Sequence, residues 1–234
     1  MIDVTTHGFT DRLTLAQVFA ERLADRLREG IAERGEATIA VSGGSTPLRL
    51  FEQLARIALD WTKVTVTLVD ERWVPDSSER SNARLLEQHL LRDQAAAARF
   101  VPLYDGAASP EAGQATVEAR LDALPLPYDA VVLGMGDDGH TASFFPGGDH
   151  LAAALDLNQP ARVLPMRAPG AGEPRITQTL AHLLRTRALY LHIEGDAKRA
   201  VLAEARLGTG AGAAYPIRAV LAQTQVPLTV YWAP

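Results

Sequence analysis

The sequence predicts an α/β fold: a Rossmann-like three-layer arrangement with a mostly parallel central sheet and helices on both faces. Three observations predict it. Short apolar, β-branched runs at residues 37–41, 64–69, 129–133 and 189–193 each stop at a polar or glycine-containing turn, as buried parallel strands do. Segments with helical spacing of apolar residues alternate with them. No internal repeat or low-complexity tract interrupts the alternation, so residues 1–234 read as a single domain.

The first helix is expected from Thr14, which has the capping-box spacing to Gln17. Leu15, Phe19, Leu23, Leu27 and Ile31 follow at four-residue intervals, and Gly35 closes the helix. Residues 37–41 form a strand that runs into Ser42, Gly43, Gly44, Ser45, Thr46 and Pro47, a hydroxyl-rich turn before another helix. The strand at 64–69 ends in a loop, Asp70-Glu71-Arg72, whose following Trp73, Val74 and Pro75 suggest that it is folded against the protein and not free in water. A helix is expected over 81–91, with His89 structural, then a short strand over 100–103 and a helix over 110–124. After the strand at 129–133 come a helical turn at 149–156, a strand at 162–166 and a proline-glycine loop at 168–174. Arg175 is expected to open a helix, where a cation meets an anion against the dipole. The strand at 189–193 leads to a helix capped by Asp196 with Lys198 in its first turn, a connector at 208–214, and a closing strand at 228–232.

Composition removes several functions. The 234 residues are 47% hydrophobic and 22% charged, with a net charge of −5 and no basic run, which excludes nucleic acid as a main partner. There is no cysteine, hence no disulfide, thiolate nucleophile or cysteine metal site. No apolar run approaches the length of a membrane span and no secretory leader is evident, so a cytoplasmic location is expected. Lys63 and Lys198 are the two lysines among 23 basic residues, which draws attention to Lys198 beside a strand end.

The chemistry concentrates at residues 129–146, D-A-V-V-L-G-M-G-D-D-G-H-T-A-S-F-F-P. Asp138 and His140 flank Gly139 and can converge on one volume. Gly134, Gly136 and Gly139 match the dinucleotide fingerprint, but Asp137 and Asp138 would repel a pyrophosphate, so no nicotinamide or flavin cofactor is expected. The histidines lack paired metal-ligand spacing, and G-x-S-x-G is absent, so neither a metal nor a serine nucleophile is expected. Ser42–Thr46 with Arg175 and Lys198 suits a phosphate; Arg72, Asp138 and His140 suit acid–base chemistry.

These pieces resemble the glucosamine-6-phosphate isomerase/6-phosphogluconolactonase superfamily, on its lactonase side. SGGSTP (42–47), DERWVP (70–75), SNARLL (81–86), GMGDDGHTASFFP (134–146), RIT (175–177) and GDAK (195–198) occur in family order. Phe144-Phe145 stands where leucine-phenylalanine is usual, and Leu48-Arg49 where members often carry a lysine; Arg49 is a candidate substitute. The resemblance implies hydrolysis of a sugar-phosphate lactone, 6-phospho-D-glucono-1,5-lactone, without a cofactor, by a monomer or weak dimer. It implies that neutral His140 is the general base, Asp138 its orienting partner, and Arg72 the oxyanion stabiliser with backbone N–H groups of the 134–139 turn. Ser42, Gly43, Gly44, Ser45, Thr46, Asp70, Arg175 and Lys198 would bind substrate and phosphate. The deaminase branch usually has a tyrosine in place of Arg72 and a glutamate after the histidine, where T-A-S-F-F-P has no acid.

Overall fold

The computed structural model describes residues 4–234. In chain order the strands are β1 (Val4–Gly8), β2 (Ala37–Val41), β3 (Val64–Leu68), β4 (Asp70–Arg72), β5 (Arg99–Val101), β6 (Ala130–Leu133), β7 (Val163–Met166), β8 (Arg175–Gln178), β9 (Leu189–Glu194) and β10 (Leu228–Ala233). The helices are α1 (Arg12–Arg34), α2 (Leu48–Leu54), α3 (Asn82–His89), α4 (Pro110–Asp122), α5 (Leu151–Leu155), α6 (Leu180–Leu183), α7 (Asp196–Leu207) and α8 (Ile217–Ala222).

Seven strands form one sheet in the order β1-β10-β9-β6-β2-β3-β5, and every pair in it is parallel. Its inner strands are apolar because helices cover both faces: every residue of β2, β3 and β6 is buried. From β2 the chain winds outward through β3 to β5; from β6 it winds the other way through β9 to β10. The strand order therefore reverses between β2 and β6, and that is where such a sheet opens a crevice at its carboxyl edge.

Several elements differ from the sequence expectation, each for a local reason. β1 gives little apolar signal in its VTTHG because it is an edge strand with four of its five residues exposed. α1 begins at Arg12, since the Asp11 carboxylate accepts from the Thr14 N–H (2.8 Å) and outcompetes the Thr14 capping box. It ends as expected, with Gly35 at φ +82° donating to the Ile31 carbonyl. Gly195, at φ +90°, caps α7, so Asp196 is the first helical residue and not the cap.

The largest difference is a second sheet. β4, β8 and β7 pair antiparallel in that order and continue from the carboxyl edge of β3. Asp70–Arg72 is thus a strand, not a loop. Arg175 lies on a strand, not at a helix start; β-branched Ile176 and Thr177 pair between β4 and β7, and α6 begins only after Thr179, whose hydroxyl caps it. Arg175 therefore meets no helix dipole.

Candidate active site

The turn after β6 owes its shape to two glycine hydrogen bonds and one left-handed glycine. Gly136 donates to the His140 carbonyl (2.9 Å), Gly139 donates to the Gly136 carbonyl (3.1 Å), and Gly139 sits at φ +71°. A Cβ on Gly136 would overlap the His140 ring, so only glycine lets the imidazole lie flat there. The ring is held on its other side by Phe145, stacked at 4.3 Å between centroids. Asp138 Oδ1 lies 2.5 Å from His140 Nδ1 and also accepts from the His140 backbone N–H (3.1 Å). The hydrogen bond from His140 holds the Asp138 carboxyl below its ordinary value, so it is an anion that accepts Nδ1–H. The Nε2 nitrogen is left without a protein partner among the described residues, and His140 lines the cavity at the switch point.

That cavity encloses about 200 Å³ between the turns after β2 and β6. It is smaller than pockets for drug-sized ligands and suits a small polar molecule. Ser42, Gly43, Gly44, Ser45 and Thr46 line one side. Ser42 ties the two turns together, its Oγ accepting from the Gly134 N–H (2.9 Å) and its own N–H donating to the Val132 carbonyl (2.9 Å). Lys198 reaches across from α7, with Nζ 3.4 Å from Thr46 Oγ1.

The small sheet forms the opposite wall. Strand alternation puts Asp70 and Arg72 on one face, and the register sets Arg175 opposite Arg72 and Thr177 opposite Asp70 on that same face. Asp70, Arg72 and Arg175 all line the cavity. Arg72 donates to the Arg80 carbonyl (2.5 Å), Arg175 to the Ala171 carbonyl (2.7 Å), and each leaves a buried Nε–H unpartnered. Arg175 also lies 5.3 Å over the Phe145 ring and 3.8 Å from Asp70, which accepts from the Ser143 hydroxyl (2.5 Å). Burial pushes the Arg175 guanidinium below its usual range, although it remains a cation. Glu173 lies 4.0 Å from Arg175 but is paired by Arg80, so three guanidiniums share two carboxylates, which leaves the wall attractive to an anion.

Glu71 points to the other face of β4 and is fully buried. Its carboxylate accepts from the backbone N–H groups of Arg72 (2.7 Å), Asn82 (2.8 Å) and Ala83 (2.7 Å), which fixes α3 to the wall. Burial pushes its carboxyl up to about 7 against the pull of those three donors.

All eleven residues expected in the site from sequence line this one cavity except Asp138, which reaches it through His140. Two expected groupings change. Lys198 keeps company with the Ser42–Thr46 turn, but Arg175 packs beside Arg72 and Asp70. The N–H groups of Gly134, Gly136 and Gly139 are already engaged inside the protein, so the glycines of this turn offer no oxyanion donor. Arg49 is exposed and does not line the cavity. Asn82, Phe145 and His192 belong to the site without being singled out for it in the sequence. A Cβ on Gly43 would overlap the Asn82 amide, which explains a second required glycine. Among the described residues no three His, Asp or Glu side chains are grouped to hold a metal ion.

A parallel α/β sheet with an Asp–His pair and a cationic cavity at its switch point defines a class: an α/β enzyme acting on a small anionic substrate. The family described as glucosamine-6-phosphate isomerases/6-phosphogluconolactonase matches residues 10–232, and the chain belongs to it. It is 53% identical to a 6-phosphogluconolactonase of Rhizobium meliloti (strain 1021), over 97% of this chain and 98% of that one. It is 45% identical to one of Pseudomonas aeruginosa, over 94% and 90%. A crystal structure of a 6-phosphogluconolactonase from Shewanella baltica OS155 superposes with a TM-score of 0.95 at 40% identity, covering 99% of this chain and 98% of that one. A monomeric glucosamine-6-phosphate deaminase shares the fold, with a TM-score of 0.78 at 18% identity.

Proposed function

We propose that the chain hydrolyses 6-phospho-D-glucono-1,5-lactone to 6-phospho-D-gluconate, the lactone-opening step of the pentose phosphate pathway. The observation that carries the reading is the Asp138–His140 pair: its free Nε2 belongs to the same small cavity as two guanidiniums and Lys198. The relatives named as lactonases, similar over nearly their full length, support it.

The lactone carbonyl lies against the Arg72–Arg175 wall, and the phosphate lies in the Ser42–Thr46 turn under Lys198. Water between the carbonyl carbon and His140 loses a proton to Nε2, while Asp138 accepts Nδ1–H and stabilises the imidazolium that forms. The hydroxide oxygen bonds to the carbonyl carbon, and the π-electron pair moves onto the carbonyl oxygen. Arg72 stabilises that oxyanion, with Arg175 adding charge from behind and Asp70 holding Arg175 in place. When the pair returns, the bond to the ring oxygen breaks, and that oxygen takes the proton back from Nε2.

No helix among the described residues is long and apolar enough to cross a membrane. A cytoplasmic enzyme acting as a monomer or weak dimer fits this reading. The test is lactone consumption by purified protein, with spontaneous hydrolysis subtracted and ammonia release from glucosamine 6-phosphate run in parallel. Catalysed lactone loss without ammonia supports the proposal; ammonia release alone, or no acceleration, overturns it.

A further inference from the structure

His192 on β9 is buried, only 2% exposed, and lines the cavity, yet the reaction above does not use it. Neither ring nitrogen has a hydrogen-bond partner among the described residues. Glu194, two residues on and on the same strand face, places Oε1 3.4 Å from His192 Nε2, and that oxygen also lacks a hydrogen bond. Arg12 of α1 backs the pair, its Nε 3.5 Å from Glu194 Oε2. Phe19 packs edge-on against the ring at 5.7 Å, so the imidazole is walled on the helix side. A buried imidazole with both nitrogens empty is costly, and such groups in folded proteins are normally satisfied by a ligand or water.

Strand register shows what that ligand meets. Leu191 pairs with Leu133, so His192 stands level with Gly134, the residue tied to Ser42 Oγ. The chain then turns at Gly195 into α7, which carries Lys198 to Thr46. His192 therefore joins the cavity at its lysine end, away from the arginine wall.

We infer that His192 is a further substrate-binding residue that holds the phosphate end of the ligand, with Glu194 as the positioning residue behind it. This deepens the lactonase reading and rests on it. Glu194 accepts Nε2–H and fixes the ring plane; Nδ1–H then donates to a phosphate oxygen. The ring then lies between the carboxylate behind it and the phosphate in front, an acceptor on each side. The other polar groups around it are Tyr231 from β10, Tyr190 on its own strand, Arg12 and Lys198, and Glu194 is the anion among them.

The test uses His192→Phe, which keeps an aromatic ring against Phe19, and His192→Asn, which keeps a polar side chain. Thermal midpoints confirm folding; should one variant fail to fold, the other carries the measurement. For a charge-assisted hydrogen bond the expected rise in KM for the lactone is about tenfold or more, with kcat within about twofold. Competitive inhibition by inorganic phosphate should weaken by a similar factor, while inhibition by gluconate, which lacks the phosphate, should not change. Glu194→Gln should move KM and phosphate inhibition the same way by a smaller factor, about threefold. KM and phosphate inhibition unchanged in a folded His192 variant would overturn the inference. So would weakened gluconate inhibition with phosphate unaffected, which would place the ring against a sugar hydroxyl. Were the wild-type protein no lactonase, that would sink the reaction, and calorimetric binding of inorganic phosphate would still decide the role of His192.

Discussion

The two sheets obey opposite rules. In the parallel sheet, β2, β3 and β6 are buried on both faces, and their polar side chains are hydroxyls: Thr38, Thr65 and Thr67. In the antiparallel sheet, β4 and β8 are almost as buried but carry Asp70, Glu71, Arg175, Thr177 and Gln178. Buried polar groups demand partners, and most here have them: Glu71 has three backbone N–H groups, Asp70 the Ser143 hydroxyl, and Gln178 the Leu68 carbonyl and the Tyr128 hydroxyl, while the Nε–H groups of Arg72 and Arg175 are left for a ligand. One sheet is a scaffold held by apolar contact. The other is a wall of aimed charges held by hydrogen bonds. Damage to the first away from the cavity should appear in stability alone, and damage to the second in stability and turnover together.

The sharpest break is at the turn that joins the two. His140→Ala removes the proposed base and leaves the backbone hydrogen bonds of the turn in place. Turnover should fall about 10²- to 10⁴-fold with KM close to wild type and the thermal midpoint little moved. Steady-state kinetics with the spontaneous rate subtracted decides it, and near-full turnover would remove His140 from the mechanism.

Next in size is a paired comparison between a helix packed on the parallel sheet and the antiparallel wall. Leu23, wholly buried on α1, truncated to alanine should cost about 2–5 kcal/mol of stability and leave kcat unchanged at a temperature where the variant is folded. Glu71→Ala strands three backbone N–H groups, at about 1–3 kcal/mol each before relaxation, and one of them belongs to Arg72. It should therefore lower both the denaturation midpoint and kcat. A Glu71→Ala enzyme that is merely unstable would blur the division drawn here.

The same division explains what the sequence made legible. The scaffold could be read because burial on both faces leaves long apolar runs such as Ala37–Val41, which a single chain displays openly. The wall could not, because β4 and β8 have three and four residues and their cavity face is charged. A D-E-R segment looks like a solvated loop until its partner strand is known. From sequence Arg175 reads as a helix start for that reason, since Leu180 and Leu183 beyond it do follow a helical period. The site residues were still legible, because the residue types that chemistry needs are rare in a packed core. His192 and Asn82 were not, because one lies in a good strand pattern and the other at a helix start, and only the cavity reveals them.

A titration separates the scaffold from the wall on the acid side. Burial pushes the His182 imidazole down to about 4, where it meets the Tyr128 hydroxyl at 3.1 Å. The unfolded chain binds that proton near pH 6.5 and the native state does not, so the group stabilises the fold above 6.5 and that contribution is lost as pH falls toward 4. The loss is at most about 3 kcal/mol. His182→Gln should flatten this part of the stability–pH curve relative to wild type, in denaturant melts taken between pH 7 and 4, while kcat stays put because the residue is remote from the cavity. An unchanged acid slope would show that His182 is not the group losing stability.

The smallest expected effect tests Lys198, which the scaffold, and not the wall, delivers to the substrate. Lys198 sits in the first turn of α7, where the helix dipole disfavours it, and it reaches Thr46 at 3.4 Å. Asp196 in the same turn offsets part of that unfavourable placement, and a bound phosphate would offset more of it. Lys198→Ala should raise KM about tenfold, close to 1.4 kcal/mol, with kcat nearly constant. Because the substitution also relieves the dipole, the unliganded variant should be as stable as wild type or slightly more so, and added inorganic phosphate should raise its melting point less than that of wild type. A loss confined to kcat would instead put Lys198 at the reacting carbonyl, and would move the phosphate to the arginine wall.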